Sequence, residues 1–440
     1  LFDTFFTADK DREIARLKRV FTRYIGLQDY SRFEDLHDLG YLPIEIRALP
    51  EGVLIDFGLP IFTIRNTHPE FDWLTNYLET LLSFLIWKPL TVANISREFY
   101  KLSMKFAEET CDDTSHVKFQ NHDFSERGQS GCDSTESVGM AWLSHSIGTD
   151  NNPGVFGADY YYKGEACGIV GLSVPASEHA VVTLNIINNA IMSQNVPVEE
   201  LVITDEMLKA GEKQFLLDVL TKYYPTGIVS SVFDSYDYWA ALTEILPEIK
   251  DVIMSRDGKL VVRPDSGDPI QVVCGTVTVW DGNNFDSVDD AAECFKEKLI
   301  EEINEETAHG ERGVDSATGY FSFEDIIYAF DVSVDWNRYD KRFYFIECDY
   351  VENIRGVELT PQQKGTVQVL WEIFGGKVNS KGYKVLDEHI GLIYGDGINY
   401  YRANEIFTRL KQKGFASSNI VYGVGSFTLN LISRDDLGFA

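Results

Sequence analysis

Residues 260–268 read Leu-Val-Val-Arg-Pro-Asp-Ser-Gly-Asp, and this stretch decides the fold. Its apolar, β-branched start is typical of a strand that is covered on both faces. Proline and glycine directly afterwards predict that the strand ends and the chain turns. Arg263 and Asp265 therefore lie together at the carboxyl end of a buried strand, where α/β proteins bind ligands. An ion pair that only caps the strand is the alternative interpretation.

The same design recurs along the chain. Apolar runs end in polar or glycine-rich tips at 122–128, 148–150, 173–179, 232–237, 263–267, 394–397 and 422–426. Segments with helical spacing separate most of these tips. This alternation predicts an α/β protein, an irregular (β/α) barrel with its active site on the carboxyl-end face. A doubly wound open sheet is the alternative architecture.

The remaining sequence predicts a second, smaller α+β sheet domain. We expect residues 1–116 to form most of it, 117–428 to form the barrel, and 429–440 to return to the smaller domain, with both chain ends incomplete. Within the first region the spacing predicts helices over 8–24, 71–87 and 92–109, a strand over 43–48 and a hairpin over 53–64. Between about 275 and 375 the chain is acidic and aromatic, and we interpret it as an insertion with a solvated helix face.

Composition excludes several classes of function. The formal charge of −30 argues against a nonspecific nucleic-acid binder, because phosphate contacts need clustered Lys and Arg. No apolar run approaches the roughly 20 residues that span a bilayer. The six cysteines form no CxxC pair, which favours reduced thiols and a cytoplasmic location.

Two tips carry groups suited to a phosphorylated sugar. Residues 423–426 read Gly-Val-Gly-Ser and favour phosphate binding by backbone N–H groups, because glycine lets the backbone approach closely. Residues 395–397 read Gly-Asp-Gly and place one carboxylate where it can bind vicinal hydroxyls, with a plain tight turn as the alternative. His179 ends a loop, and a structural histidine is the commoner case. The sequence contains neither an HExxH motif nor a cluster of Cys and His residues, so it does not predict a transition-metal site.

Taken in order, the motifs resemble the type II phosphoribosyltransferases, and among them the enzymes that act on nicotinamide. The resemblance is carried by His-Asp-Phe at 122–124, Gly-Thr-Asp at 148–150, Ser-Val-Pro-Ala at 173–176, Asp-Ser-Tyr-Asp at 234–237, the Arg-Pro-Asp-Ser-Gly tip and Gly-Asp-Gly. It covers most of the chain except the amino-terminal segment and the insertion. The insertion is similar to that of bacterial or phage members.

The resemblance implies an activity and its partners. Nicotinamide and phosphoribosyl pyrophosphate would give nicotinamide mononucleotide and pyrophosphate in NAD salvage, with Mg²⁺ bound mainly through the substrate pyrophosphate and with ATP as an optional activating co-substrate. It further implies a homodimer with shared active sites, no nucleic-acid or membrane partner, and a bacterial or phage-infected host cytoplasm.

The resemblance also implies roles for individual residues. Phe124, Asp150 and Arg263 would bind nicotinamide; Arg127, Asp265, Gly395, Asp396, Gly425, Ser426 and Arg434 would bind the phosphoribosyl group and its phosphates; His179, Asp234 and Asp265 would be catalytic. His179 corresponds to the histidine that ATP phosphorylates, with Asp234 supporting it. Ser426 stands where the family usually has a further glycine, and the family's amino-terminal segment is not found.

The base specificity rests on Asp150. A carboxylate pairs with the N–H₂ of an amide but repels the carboxylate of nicotinic acid, which favours nicotinamide. Nicotinate phosphoribosyltransferase is the alternative on the same fold. A Mg²⁺-dependent barrel hydrolase or lyase and an inactive binding protein are the alternatives from other classes.

Overall fold

The computed structural model describes residues 2–56, 58–163, 171–193, 200, 202–307, 316–333, 335–339, 342–347 and 351–431. Contacts divide the chain into two compact units, one within residues 1–91 and one formed by residues 92–431. The domain limits inferred from the sequence stay a prediction.

Sixteen strands and seventeen α-helices lie in the described part of the chain, besides short 3-10 and π-helical segments. The strands are β1 Ile44–Ala48, β2 Phe62–Asn66, β3 Asn121–Phe124, β4 Gly148–Thr149, β5 Thr226–Val232, β6 Asp257–Arg263, β7 Val279–Asp281, β8 Ser316–Phe323, β9 Ile326–Ser333, β10 Asp335–Tyr339, β11 Arg342–Glu347, β12 Val351–Gly356, β13 Gly376–Val378, β14 Lys384–Leu386, β15 Ile390–Tyr394 and β16 Val421–Gly425. The helices are α1 Lys10–Ile25, α2 Ser31–Leu39, α3 Trp73–Thr110, α4 Val117–Gln120, α5 Cys132–Trp142, α6 Asn152–Tyr162, α7 His179–Met192, α8 Asp205–Asp218, α9 Tyr238–Ala240, α10 Leu246–Glu248, α11 Lys250–Met254, α12 Pro269–Cys274, α13 Val288–Thr307, α14 Pro361–Lys364, α15 Thr366–Phe374, α16 Tyr400–Gln412 and α17 Ser426–Asn430.

The first unit contains α1, α2, the β1–β2 pair and the start of α3, and it confirms the predicted helix over 8–24 and the strand over 43–48. Its core is formed by Phe5, Leu36, Phe71, Leu74 and Leu78. The hairpin prediction is wrong in its limits. Strand β1 pairs antiparallel with β2, and most of 53–61 is loop, because the Pro and Gly residues there break a ladder.

The two helices predicted over 71–87 and 92–109 are one continuous helix, α3, which contains Pro89. Proline removes a single backbone donor. The hydroxyl of Thr91 donates to the carbonyl of Trp87 at 2.8 Å, so the region around the proline keeps a local hydrogen bond. The apolar face continues on both sides of Pro89, with Leu78 and Phe99 almost fully buried, and the helix persists.

The second unit contains the predicted barrel. Six parallel strands lie in the order β4-β3-β16-β15-β6-β5. The two edge strands are joined by an irregular segment, because Leu172 bridges to Gly148 and Ala176 bridges to Ser230. The tip predicted at 173–179 is therefore part of the ring, although it is no regular strand; Pro175 has no N–H for a ladder. The buried side chains of Val229, Leu260, Val262, Leu392 and Val424 belong to its core.

The described residues between 279 and 356 form a separate layer of this unit. Strands β12-β9-β8-β7 make a four-stranded sheet. Helix α13 packs its buried residues Ala291, Ala292, Phe295 and Leu299 into a core shared with that sheet, while the acidic residues between them are exposed. The predicted solvated acidic helix face is confirmed. Among the described residues, no helix combines the length and apolar composition that crossing a bilayer requires.

Candidate active site

Two strand-end carboxylates and His179 form one connected cluster. Asp234 closely follows β5, Asp265 follows β6, and His179 is the first residue of α7. His179 Nε2 lies 3.1 Å from Asp234 Oδ1, and His179 Nδ1 lies 3.8 Å from Asp265 Oδ2. The backbone N–H of Asp265 donates to Asp234 Oδ2 at 2.9 Å. Asp234 thus links two neighbouring strand ends and orients the imidazole.

The hydrogen bond to Asp234 decides which imidazole nitrogen is free. An ionised carboxylate has no proton to give, so Nε2–H is the donor when the ring is neutral. The lone pair then lies on Nδ1, toward Asp265. The Glu178 carboxylate accepts from the N–H groups of Ala180 and Val181 and fixes the start of α7. In the neutral ring, the nitrogen that carries the lone pair is therefore Nδ1.

Arg263 joins this cluster to the ring of Phe124. Its Nη2 lies 3.2 Å from Asp265 Oδ2, and its Cζ lies 6.0 Å from the centre of the Phe124 ring. The side chains of Arg263 and Asp265 are only 14% and 15% exposed. Arg263 Nε has no hydrogen-bond partner among the described residues, so an acceptor on a ligand would satisfy it.

The position of Phe124 depends on two glycines. A Cβ on Gly395 would lie 2.8 Å from Phe124 Cε2, and a Cβ on Gly423 would lie 2.3 Å from Phe124 Cδ2. Such contacts are too short for any side chain, so glycine is required directly after β15 and in the middle of β16 for the ring to lie there. One face of Phe124 is thus occupied by backbone.

Asp150 lies at the end of β4 and has two polar neighbours. Its Oδ1 accepts a hydrogen bond from Ser173 Oγ and lies 4.0 Å from Nδ1 of the buried His122. Its side chain is 39% exposed, which leaves the carboxylate accessible to a ligand.

A buried polar network supports the loop that carries Asp150. Asn151 Nδ2 donates to Asp123 Oδ2 at 3.0 Å, and the N–H of Ser125 donates to Asp123 Oδ1 at 2.8 Å. Burial raises the pKa of Asp123, against the effect of these hydrogen bonds. Sequence reasoning missed Asp123 and Asn151 as supporting residues. The available signal was their position beside Phe124 and Asp150, inside the same motifs.

The predicted phosphate-binding residues lie at the ends of β3 and β16. Gly425 ends β16 and Ser426 begins α17. A Cβ on Gly128 would lie 2.0 Å from Ser426 Oγ, so the turn that contains the exposed Arg127 lies directly against Ser426. Asp396 is exposed at the end of β15. Arg434 lies outside the described residues.

Tyr394, also missed from the sequence, holds the loop that follows Asp265. Its hydroxyl donates to the carbonyls of Ser266 and Gly267 at 3.0 and 2.9 Å. Burial, followed by the charges of Asp396 and Asp265, raises the pKa of Tyr394, so it stays a donor.

A cavity of about 430 Å³ lies below this cluster, toward the amino-terminal ends of the strands. It is lined by Ile228, Lys259, Ile390 and Val421 and reaches His122. The strand-end cluster, and not this cavity, contains the residues predicted to do chemistry. Among the described residues, no group of three His, Cys, Asp or Glu side chains has the arrangement of a metal site.

The structure therefore brings His179, Asp234, Asp265, Arg263 and Phe124 into one contact network. Gly425 is the ladder partner of Phe124, and Asp150, Arg127, Asp396 and Ser426 lie on the same carboxyl-end face of the strands. The roles given to these residues stay predictions. Fold and cluster together define an α/β-barrel enzyme whose polar groups converge where parallel strands end.

Comparison with known proteins identifies the family. The model of the nicotinate phosphoribosyltransferase family matches residues 119–304 and 348–440. The chain is 35% identical over 444 aligned residues to a nicotinamide phosphoribosyltransferase of Acinetobacter baylyi, covering 99% of this chain and 68% of the relative. It is 30% identical over 403 residues to the protein of that name from Mycoplasma pneumoniae, covering 90% and 64%, and 27% identical over 404 residues to that of Xanthomonas campestris, covering 91% and 61%. The chain belongs to the nicotinate phosphoribosyltransferase family, a family of pentosyltransferases.

Proposed function

We propose that this chain transfers the phosphoribosyl group of phosphoribosyl pyrophosphate to nicotinamide, giving nicotinamide mononucleotide and pyrophosphate. The observation that carries the proposal is the position of Arg263, between the Phe124 ring and Asp265. The guanidinium of Arg263 thus lies next to two groups. The Phe124 ring is suited to stacking on a flat base, and the Asp265 carboxylate is suited to binding ribose hydroxyls. The relatives named nicotinamide phosphoribosyltransferase support it, although the chain spans only 61 to 68% of the length of those compared above.

The residues have complementary tasks in this reaction. Phe124 stacks on the pyridine ring, Arg263 donates to the carboxamide oxygen and Asp150 accepts from its N–H₂. Asp265 and Asp396 bind the ribose hydroxyls, while Arg127, Gly425 and Ser426 hold phosphate. Holding the ring nitrogen beside the anomeric carbon converts a bimolecular encounter into an oriented one. Charge that develops as pyrophosphate leaves is stabilised by groups already in place.

Magnesium and ATP enter this proposal as partners of the substrates. When bound, a Mg²⁺ ion would supply positive charge to the departing pyrophosphate, and phosphate oxygens and water would be the main source of its ligands. ATP would transfer its γ-phosphoryl group to Nδ1 of His179, because Nε2 is engaged with Asp234; the new P–N bond replaces the bond to the β,γ-bridging oxygen, and ADP leaves. The ionised Asp234 then stabilises the imidazolium that forms.

We further propose a homodimer that works in a cytoplasm. Two helices of the barrel unit expose large apolar side chains: Phe156 and Tyr160 of α6 are 74% and 80% exposed, and Leu184 and Met192 of α7 are 66% and 75% exposed. Faces of this kind favour burial against a second copy. The free thiols of Cys111, Cys132, Cys274 and Cys294 support a reducing compartment.

The test supplies nicotinamide or nicotinate separately, each with phosphoribosyl pyrophosphate and Mg²⁺, with and without ATP. We expect the amide mononucleotide as the main product and a faster rate with ATP. Equal or better use of nicotinate would overturn the base assignment. No product from either base would overturn the transferase proposal. Light scattering on the same samples measures whether the protein is dimeric.

A further inference from the structure

Glu212 is a buried acid that the proposed reaction does not yet use. Glu212 lies on α8 and is only 1% exposed. Neither of its carboxyl oxygens has a hydrogen-bond partner among the described residues. A buried carboxyl without partners costs free energy, so its place in the core calls for an explanation.

The residue before Glu212, Gly211, packs directly against α7. A Cβ on Gly211 would lie 2.4 Å from the carbonyl oxygen of Ile186, and Asn189 Nδ2 donates to the Gly211 carbonyl at 3.0 Å. Helices α7 and α8 therefore pack with their backbones close together. Glu212 lies next to this contact, and α7 begins with His179.

The charged groups around Glu212 are mostly acidic. Burial, followed by the charges of Asp237 and Asp234, raises the pKa of Glu212 to about 8. On its own helix, Lys209 and Lys213 pair at the surface with Glu244 and Glu248. On α7, His179 faces Asp234. A carboxyl that is buried and without a hydrogen-bond partner among the described residues favours its uncharged form, and the raised pKa of Glu212 points in the same direction.

We propose that Glu212 is a positioning residue of the phosphoribosyl-transfer site, a carboxyl held uncharged near Asp234 so that the His179–Asp234 pair binds polyphosphate substrates without a further buried negative charge. This inference rests on the proposed function. Ionisation of Glu212 adds one negative charge to a region that already holds Asp234, Asp237 and Asp265. Phosphoribosyl pyrophosphate and ATP are polyanions, so the added charge weakens their binding.

The test compares the pH dependence of the wild type with that of Glu212→Gln, a neutral residue of nearly the same shape. Between about pH 6.5 and 9.5, the wild-type KM for phosphoribosyl pyrophosphate should rise at least about threefold with little change in kcat. In Glu212→Gln this rise should vanish. Glu244→Gln, whose exposed carboxylate pairs with Lys209, is the matched control and should follow the wild type.

A second measurement does not depend on turnover. Calorimetric titration with Mg²⁺ and inorganic pyrophosphate should show the same loss of affinity at high pH in the wild type, and none in Glu212→Gln. If Glu212→Gln does not fold, Asp237→Asn provides an alternative test. The charge of Asp237 has the largest charge effect on the pKa of Glu212, so its removal should lower the pH at the midpoint of the rise in KM. Coincident pH profiles for the wild type and Glu212→Gln, or an unmoved midpoint in Asp237→Asn, would overturn the inference. Absence of mononucleotide with a pH-dependent pyrophosphate affinity would overturn only the proposed function.

Discussion

Arg263 and Asp265 lie two residues apart but should act on different substrates. Arg263→Ala removes the donor to the carboxamide and should raise the KM for nicotinamide about tenfold or more, with a smaller change for phosphoribosyl pyrophosphate. Asp265→Ala should chiefly raise the KM for phosphoribosyl pyrophosphate, with a smaller change for nicotinamide. Because Arg263 Nη2 contacts Asp265 Oδ2 at 3.2 Å, the double variant should lose less than the sum of the two single effects. Steady-state kinetics with each substrate varied will separate the two residues, and identical profiles for both would contradict the assignment.

Asp150 should decide which base is used. Asp150→Ser keeps a short polar side chain but removes the charge, so the kcat/KM for nicotinamide should fall about 10- to 100-fold while exclusion of nicotinate relaxes. Competition between the two bases measures the ratio. Asp286→Ser, at an exposed acid in the separate layer, is the control and should change neither value. Unchanged selectivity in Asp150→Ser would remove Asp150 from the base site.

The sequence predicted this cluster because parallel strands end on one edge of a sheet. Arg263, Asp265 and Asp234 follow strands whose apolar runs are plain to see. The contacts of Asp150 with Ser173 and of Asn151 with Asp123 could not be predicted, since they join side chains across loops. Those contacts depend on loop conformation, which hydrophobic periodicity does not report.

At the scale of elements, the predictions were best where composition alone imposes a structure. Strands β5, β6, β15 and β16 lie where continuous apolar runs predicted them. The segment 172–176 closes the ring with isolated bridges, because Pro175 and the polar residues around it cannot make a full ladder. Helix α3 continues through Pro89, where tertiary packing prevails over a local helix breaker.

The close packing of α7 on α8 gives a prediction for Gly211. In an isolated helix, Gly→Ala stabilises by up to about 1 kcal/mol. Here the new Cβ would lie 2.4 Å from the Ile186 carbonyl, so Gly211→Ala should lower the free energy of unfolding by about 1–3 kcal/mol. Urea denaturation measures this change. Gly356→Ala is the matched control, since its nearest contact would be an ordinary 3.5 Å, and it should change stability by less than about 0.5 kcal/mol. A stabilising Gly211→Ala would show that the two backbones are not in close contact.

For the molecule as a whole, function was easier to predict than the internal electrostatics. The order of motifs along the chain points to the family, and a net charge of −30 means that anionic substrates need a local cluster of donors. The burial of one acid, Glu212, could not be predicted in this way. Glu212 lies in an ordinary polar and apolar helical pattern, and only three-dimensional packing shows that it is buried and without a hydrogen-bond partner among the described residues.

That burial should make the stability of the protein depend on pH in a defined direction. The pKa of Glu212 is raised to about 8 in the folded protein, from 4.5 in the unfolded chain. Below pH 4.5 both states hold the proton, and Glu212 places no charge in the core. As pH rises from there toward about 8, the unfolded chain releases the proton that the folded protein keeps, so stability falls by about 1.4 kcal/mol per pH unit. Above the folded pKa the loss is complete and constant.

Glu212→Gln isolates this contribution, because all other titrating groups remain in both proteins. The difference in unfolding free energy between Glu212→Gln and the wild type, followed by tryptophan fluorescence in urea, should grow with pH across this window and then level off near the folded pKa of about 8. A difference that stays constant with pH would mean that Glu212 ionises in the folded protein as it does in water. In that case the carboxyl would already carry its charge beside Asp234 at neutral pH, and it could not act on the His179–Asp234 pair as an uncharged group.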